Sequence, residues 1–280
     1  MTRRSVRIAT THAFHGHHAV ALDDLKQHLD TIDHVIIPVY SVHDPRQPPI
    51  GRVVSGNIIG LEDGEYALDV NVELFDQDFI PASGVTVDKR VAIVNRPDGK
   101  FGIWCDMSTL TPEKTGILRE ISKILETRIS SRSGTGILQE GLATLIIGIG
   151  MLPFGYIADT FSRRLGSENV HLLAGKLTLM YTIPGEDPTD SLLIFDLDVT
   201  DRQQRSLLIE VIMTNPSVKD IETLLSGGLS ELDRILPPFY LSRLQPKKIV
   251  MNYCDGRFRV LYAIQEQGIP LIPRYFSLSS

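Results

Sequence analysis

Two carboxylates stand on alternate positions of the apolar run Ile194-Phe195-Asp196-Leu197-Asp198-Val199-Thr200. Alternate residues of a strand point to one face, so Asp196 and Asp198 would project together at its carboxyl end. Like charges that close repel, and a cation or a basic side chain must relieve them. Carboxylate oxygens suit a divalent ion, and the stretch from Glu186 to Asp201 carries six acidic residues and no basic one. Asp196 and Asp198 are therefore candidate metal ligands, and metal-dependent phosphoester hydrolysis is the chemistry they would serve. A solvated acidic loop at a strand end is the plainer account. His43 is a second candidate, at the end of Ile36-Ile37-Pro38-Val39-Tyr40-Ser41-Val42. An imidazole at a strand end acts as a general base when a nucleophile lies within reach. Four of the eight histidines sit at His12, His15, His17 and His18. That spacing invites a metal, but adjacent residues of a strand point apart and no cysteine stands beside them. An exposed histidine-rich loop is the simpler account. Cys254-Asp255-Gly256 follows one strand and is expected to open a helix, whose N-terminus would suit an anion. Phosphate loops of the GxGxxG and GxxxxGK[ST] types are absent.

His43 is followed by Pro49-Ile50-Gly51-Arg52-Val53 and, 49 positions after the histidine, by Val91-Ala92-Ile93-Val94-Asn95-Arg96-Pro97. In this order of pieces, roughly residues 5–105 resemble the prohead (capsid maturation) serine peptidases of tailed phages, whose fold is related to herpesvirus assemblin. In that family a catalytic histidine precedes a Pro-x-Gly-x-Val turn, and the nucleophilic serine follows about fifty residues later. The resemblance implies His43 as the base and position 92 as the nucleophile, with one of the clustered histidines as a third member. Alanine has no hydroxyl to activate, so Ala92 implies a pseudopeptidase that works by binding or assembly. The alternative is a serine peptidase whose nucleophile has been changed. A phage-derived or antiphage setting and a protein partner or self-association are further expectations from the resemblance. Separately, Asp196-x-Asp198-x-Thr200 resembles the first motif of haloacid-dehalogenase-like phosphotransferases, which implies Asp196 as nucleophile and Asp198 as acid/base. Met213-Thr214-Asn215 is similar to their second motif. Two departures stand against it: only thirteen residues separate Thr200 from Thr214, and the strand after Lys248 lacks the acidic pair that would hold magnesium.

The elements that must position these residues follow from periodicity. Residues 5–10, Val35–Val42, Gly51–Ile59, Tyr66–Leu74, Val91–Val94 and Lys100–Cys105 read as strands, with hairpin turns at Asp63-Gly64 and Asp98-Gly99. Ala21–Asp33 reads as a helix with Leu22, Leu25, Leu29 and Ile32 on one face. Thr111-Pro112-Glu113 starts a second helix, with threonine as cap and proline in the first turn. Gly141 to Ala158 is 18 residues without a charge. Its length raises a membrane span, but its glycines and Pro153 favour a buried, kinked helix pair packed against protein. Beyond it, Leu172–Ile183, Leu192–Asp198, Lys248–Tyr253 and Ile269–Tyr275 read as strands. Arg202–Met213, Val218–Leu225, Leu229–Leu236 and Phe258–Gln267 read as helices.

The expected fold is α+β. It comprises a β-rich small barrel with a helix over 1–108, a helical region over 109–166, and a small α/β domain over 167–280, closed by a parallel crossover. A chain of 280 residues is long enough for two domains, and 42% hydrophobic with 22% charged residues is a globular composition. A net charge of −6 gives no electrostatic footprint for nucleic acid. Two distant cysteines, and no apolar core after the arginines of residues 1–9, lead to the expectation of a cytoplasmic protein. A divalent cation is the one cofactor expected, and a membrane contact through Gly141–Ala158 is the third, membrane-associated reading.

Overall fold

The structure, a computed structural model, describes residues 2–12, 20–34, 37–41, 44–75, 86–87, 101–105, 110–131, 143–183, 191–201, 203, 205–241 and 246–272. The fold is α+β. Two compact units divide the chain: Met1–Asn95 with Ser133–Glu140 and Ile264–Leu271, and Arg96–Arg132 with Gly141–Ala263 and Ile272–Ser280.

The first unit contains β1 (Thr2–Thr10), α1 (Leu22–His34), β2 (Pro38–Tyr40), β3 (Gly51–Gly60), β4 (Tyr66–Leu74) and β5 (Thr86–Val87). The strands pair antiparallel in the order β1-β4-β3-β2-β5 and curl into a half-barrel. Period-two patterning sets which face is buried: Leu68, Val70 and Val72 of β4 join Val39, Val53 and Leu25 of α1 in one core. The Leu22, Leu25, Leu29, Ile32 stripe holds α1 against that core. Gly56 lets the helix approach, since a Cβ there would come within 3.0 Å of Leu29 and 3.1 Å of Ile32. The β3–β4 hairpin turns at Asp63-Gly64, where Gly64 has φ 81° and its N–H donates to the Leu61 carbonyl.

The second unit runs through β6 (Phe101–Cys105), α2 (Pro112–Ile124), β7 (Ile129–Ser131), β8 (Ala143–Pro153), α3 (Ile157–Leu165) and α4 (Ser167–Thr182). It continues with β9 (Ser191–Thr200), β10 (Ser206–Thr214), α5 (Val218–Thr223), a π-helical turn (Leu224–Gly228), α6 (Ser230–Ile235), α7 (Pro237–Leu241), β11 (Lys248–Cys254) and β12 (Arg257–Ile264). Its strands lie in the order β12-β11-β10-β9-β8-β6-β7. The β6/β7, β8/β9 and β10/β11 pairs are parallel, and a parallel pair needs a crossover. The helices between those strands supply it. Thr111 caps α2 by accepting the Lys114 N–H, and Pro112 opens the helix, as the sequence predicts.

Several expected elements change type. Gly141–Ala158 is not a helix pair: residues 143–153 form β8, and α3 starts only at Ile157. A central strand is buried on both faces, so its apolar residues run on without alternating, and the run carries no period. No helix among the described residues is long and apolar enough to cross a membrane. Leu172–Ile183, expected as a strand, belongs to α4, which buries Leu173, Leu177 and Met180 at helical spacing. Arg202–Met213 and Phe258–Gln267, expected as helices, overlap the strands β10 and β12 instead. Asp255 and Gly256, at φ 53° and 72°, turn β11 into β12 as a two-residue hairpin, so no parallel crossover closes the chain there.

Candidate functional site

Register assembles the site. β9 runs through Asp196 and Asp198 to Thr200, then turns at Asp201 into β10. The Asp201 carboxylate fixes the turn by accepting the Gln203 and Arg205 N–H groups at 2.8 and 2.9 Å. Asp196 therefore stands mid-strand rather than at a strand's carboxyl end, because the expected helix after Asp198 is the returning strand β10. Antiparallel pairing puts Glu210 directly across from Asp196, and Leu208 across from Asp198. On the other flank of Asp196 the in-register residue is Gly148 of β8, which has no side chain to cover it. Lys248, in register with Leu208 on the parallel strand β11, reaches diagonally to Glu210, with Nζ 2.6 Å from Oε2. Ser206 donates to Asp198 Oδ1 at 2.5 Å.

All these residues share one sheet face. The opposite face carries Tyr253 of β11, which abuts the π-helical turn: a Cβ on Gly228 would lie 3.0 Å from its hydroxyl. That second face is filled by Phe195, Leu197, Val211 and Met251. On the charged face the Glu210 side chain is only 3% exposed and that of Lys248 13%. A carboxylate that deep costs several kcal/mol unless a counter-charge offsets it, and Lys248 supplies one. Asp196 and Asp198 are part-exposed.

The sequence singles out Asp196 and Asp198 and misses Glu210 and Lys248. The signal was a single charge in the otherwise apolar Ser206-Leu207-Leu208-Ile209-Glu210-Val211-Ile212-Met213, which reads as a helix without its hairpin partner. Among the described residues no three His, Cys, Asp or Glu side chains meet as a metal cage. A magnesium-type site needs only one or two carboxylates, the remaining positions going to water and substrate phosphate. The phosphotransferase-like pairing of Asp196 with Thr214 does not form. Thr214 pairs with Leu192, four residues along β9 from Asp196.

Elsewhere the candidates separate. His43, Ala92, His15, His17 and His18 lie outside the described residues. His12 Nδ1 is 3.5 Å from Asp63 Oδ2 on the hairpin turn. Gly51 of the Pro49–Val53 motif has a structural account: it pairs with Val39 and Leu74, and a Cβ there would lie 2.6 Å from the Glu73 carbonyl oxygen. Arg52 of the same motif is held by Glu73, through Nε at 2.9 Å and Nη2 at 2.7 Å. Cys254 sits on the hairpin turn, not at a helix N-terminus, so no anion site forms there. Its hydrogen bond to the Asp255 carboxylate pushes the thiol above its usual range, opposite to what a nucleophilic thiol needs. Comparison with family models, curated proteins and solved structures gave no match.

Proposed function

We propose that the second unit is a divalent-cation-dependent phosphoester hydrolase whose cation is held by Asp196 and Glu210. The observation that carries this is their direct opposition across the β9–β10 hairpin, beside Gly148 and next to Lys248. Two carboxylates would bind a magnesium or manganese ion that keeps open positions for water and phosphate. The ion would polarise the phosphoryl oxygen and lower the pKa of its bound water, the two services metal-assisted hydrolysis requires. Asp198, held by Ser206, stands one row away and would orient a water of that ion. The test is manganese- or magnesium-dependent release of nitrophenol from nitrophenyl phosphate mono- and diesters, abolished in Asp196→Asn and Glu210→Gln. Metal-independent release, or release that survives both substitutions, would reject the reading.

A second reading concerns the first unit, which we propose acts by binding as an inactive peptidase-like module. What supports it is the order of motifs in the sequence, with His43 ahead of Pro49–Val53 and then Val91–Pro97. Under this reading the chain fails to react with serine-directed fluorophosphonates. Ala92→Ser gains labelling, and adding His43→Ala removes it again. Labelling of the unaltered chain would contradict it.

A further inference from the structure

β1 is the outermost strand of the first unit's sheet. Its inner edge pairs with β4 from Thr2 opposite Leu74 to Thr10 opposite Ala67, and among the described residues no strand pairs with its outer edge. Half of a strand's N–H and C=O groups face away from any one partner, so an outermost strand presents a row of them. The far end of that row is closed: the Thr10 carbonyl accepts the Val20 N–H at 3.1 Å, and the β1–β4 pairing shifts between Arg7 and Ala9. The regular stretch is Arg3-Arg4-Ser5-Val6-Arg7, which contains no proline or glycine to break it.

Charge decides what can add to that edge. The stretch carries three arginines and no acidic residue. Arg7 is held by Asp69 across the ladder at 2.8 Å. Glu73, across from Arg3, is taken by Arg52. Arg3 and Arg4 are exposed and project from opposite faces of the sheet. A second copy of β1 paired antiparallel about Ser5 would set Arg3 against Arg7, and like charges directly opposed destabilise a sheet. The arginines thus guard the edge against its own kind and leave it open to the opposite charge. Val6 is part-buried at the margin of the core that holds Val70 and Val72, so an apolar residue beside it would extend that core.

We propose that the outer edge of β1, over residues 3–7, is a docking site for an extended acidic segment of a partner protein, which adds to the sheet as a strand. Its carboxylates lie beside Arg3 and Arg4 and an apolar residue lies beside Val6. Main-chain hydrogen bonds supply the affinity, and the arginines supply the selectivity. The docking edge does not depend on whether the unit is peptidase-like.

Fluorescence anisotropy of labelled octapeptides with the full chain tests this. An alternating Glu-Val peptide should saturate below about 1 mM, and an alternating Lys-Val peptide should bind about tenfold more weakly or not at all. Arg3→Thr combined with Arg4→Thr should weaken Glu-Val binding about tenfold, while Arg234→Glu, at an exposed position of the second unit, should leave it unchanged. Strand addition uses the N–H groups of alternate peptide residues. Of two Glu-Val peptides, one N-methylated on its glutamates and the other on its valines, one should therefore lose binding and the other keep it. This comparison needs only the wild-type chain, so a double variant that misfolds leaves the test intact. Failure of the Glu-Val peptide to bind at about 1 mM overturns the proposal, as does undiminished binding by a folded double variant. Equal binding of the two N-methylated peptides also overturns it, because charge would then act without strand addition. Sedimentation of the wild type as a dimer that the Glu-Val peptide dissociates would put a second copy on the edge and likewise overturn it.

Discussion

Asp196 and Glu210 face each other in register across the β9–β10 hairpin, with Gly148 on the far flank of the aspartate. Directly opposed residues of an antiparallel pair hold their Cβ atoms about 5 Å apart, and like charges so placed destabilise the sheet. Lys248 relieves the glutamate from the next strand. The arrangement predicts an asymmetry. Glu210→Gln should remove the carboxylate charge 2.6 Å from the buried Lys248 ammonium and lower stability by about 2–3 kcal/mol, while Glu210→Leu combined with Lys248→Met should cost less than Glu210→Gln alone. Chemical denaturation of the variants measures this, and a double variant less stable than the single would contradict it.

Gly51 should tolerate no side chain. Gly51→Ala puts a Cβ 2.6 Å from the Glu73 carbonyl oxygen, a backbone atom fixed by the β3–β4 pairing. A loss of about 2 kcal/mol in the first unit is expected, in the range of overpacked sites. Gly60→Ala, with nothing within 4 Å, is the control and should stay near neutral. Equal stability of the two variants would show that the strand yields at Gly51.

Arg52 and Glu73 form a part-buried ion pair in the same unit, with Glu73 7% exposed. Arg52→Met should cost about 2 kcal/mol, because the carboxylate left behind is buried, and adding Glu73→Leu should restore part of it. Denaturant melts of the single and double variants measure the difference. Strict additivity would mean that the two groups do not interact.

Asp233 of α6 caps α3 from a distance, accepting the Gly155 N–H at 2.9 Å and the Ile157 N–H at 3.2 Å. Burial, joined by the nearby Asp159 charge, holds its carboxyl above the usual range despite those two N–H groups. A carboxyl raised in the folded state contributes stability that is present below its unfolded pKa and lost as pH rises through the folded value. The wild type should therefore gain stability relative to Asp233→Asn as pH falls from neutrality toward the unfolded value of 3.8. Chemical denaturation of both proteins across that range checks it, and a flat or opposite difference would contradict it. Asp233→Ala, which loses the cap altogether, should cost about 1 kcal/mol at neutral pH.

What the sequence made legible followed from local rules with one face exposed. Leu22, Leu25, Leu29 and Ile32 mark α1, alternation marks β4, and Thr111-Pro112 marks the start of α2, because each pattern answers to a single buried side. The second unit hid its strands for the converse reason. β8 and β10 are central, buried on both faces, and carry no alternation to separate them from a buried helix. With β10 taken as a helix, Glu210 had no partner and Asp196 stood at a strand end. The opposition of the two, and the diagonal reach of Lys248, are facts of register between strands that no single segment records.

The central claim is that Asp196 and Glu210 bind one divalent cation, and thermal unfolding with and without manganese tests it most directly. At a concentration about a hundredfold above the dissociation constant, binding adds about 2.7 kcal/mol, a rise of roughly 5 °C or more in melting temperature. The account predicts that rise in wild type, its loss in Asp196→Asn and in Glu210→Gln, and its retention in Asp69→Asn, an acidic residue of the first unit paired with Arg7. A wild-type melting temperature unmoved by manganese, or a shift that survives in both Asp196→Asn and Glu210→Gln, would contradict it.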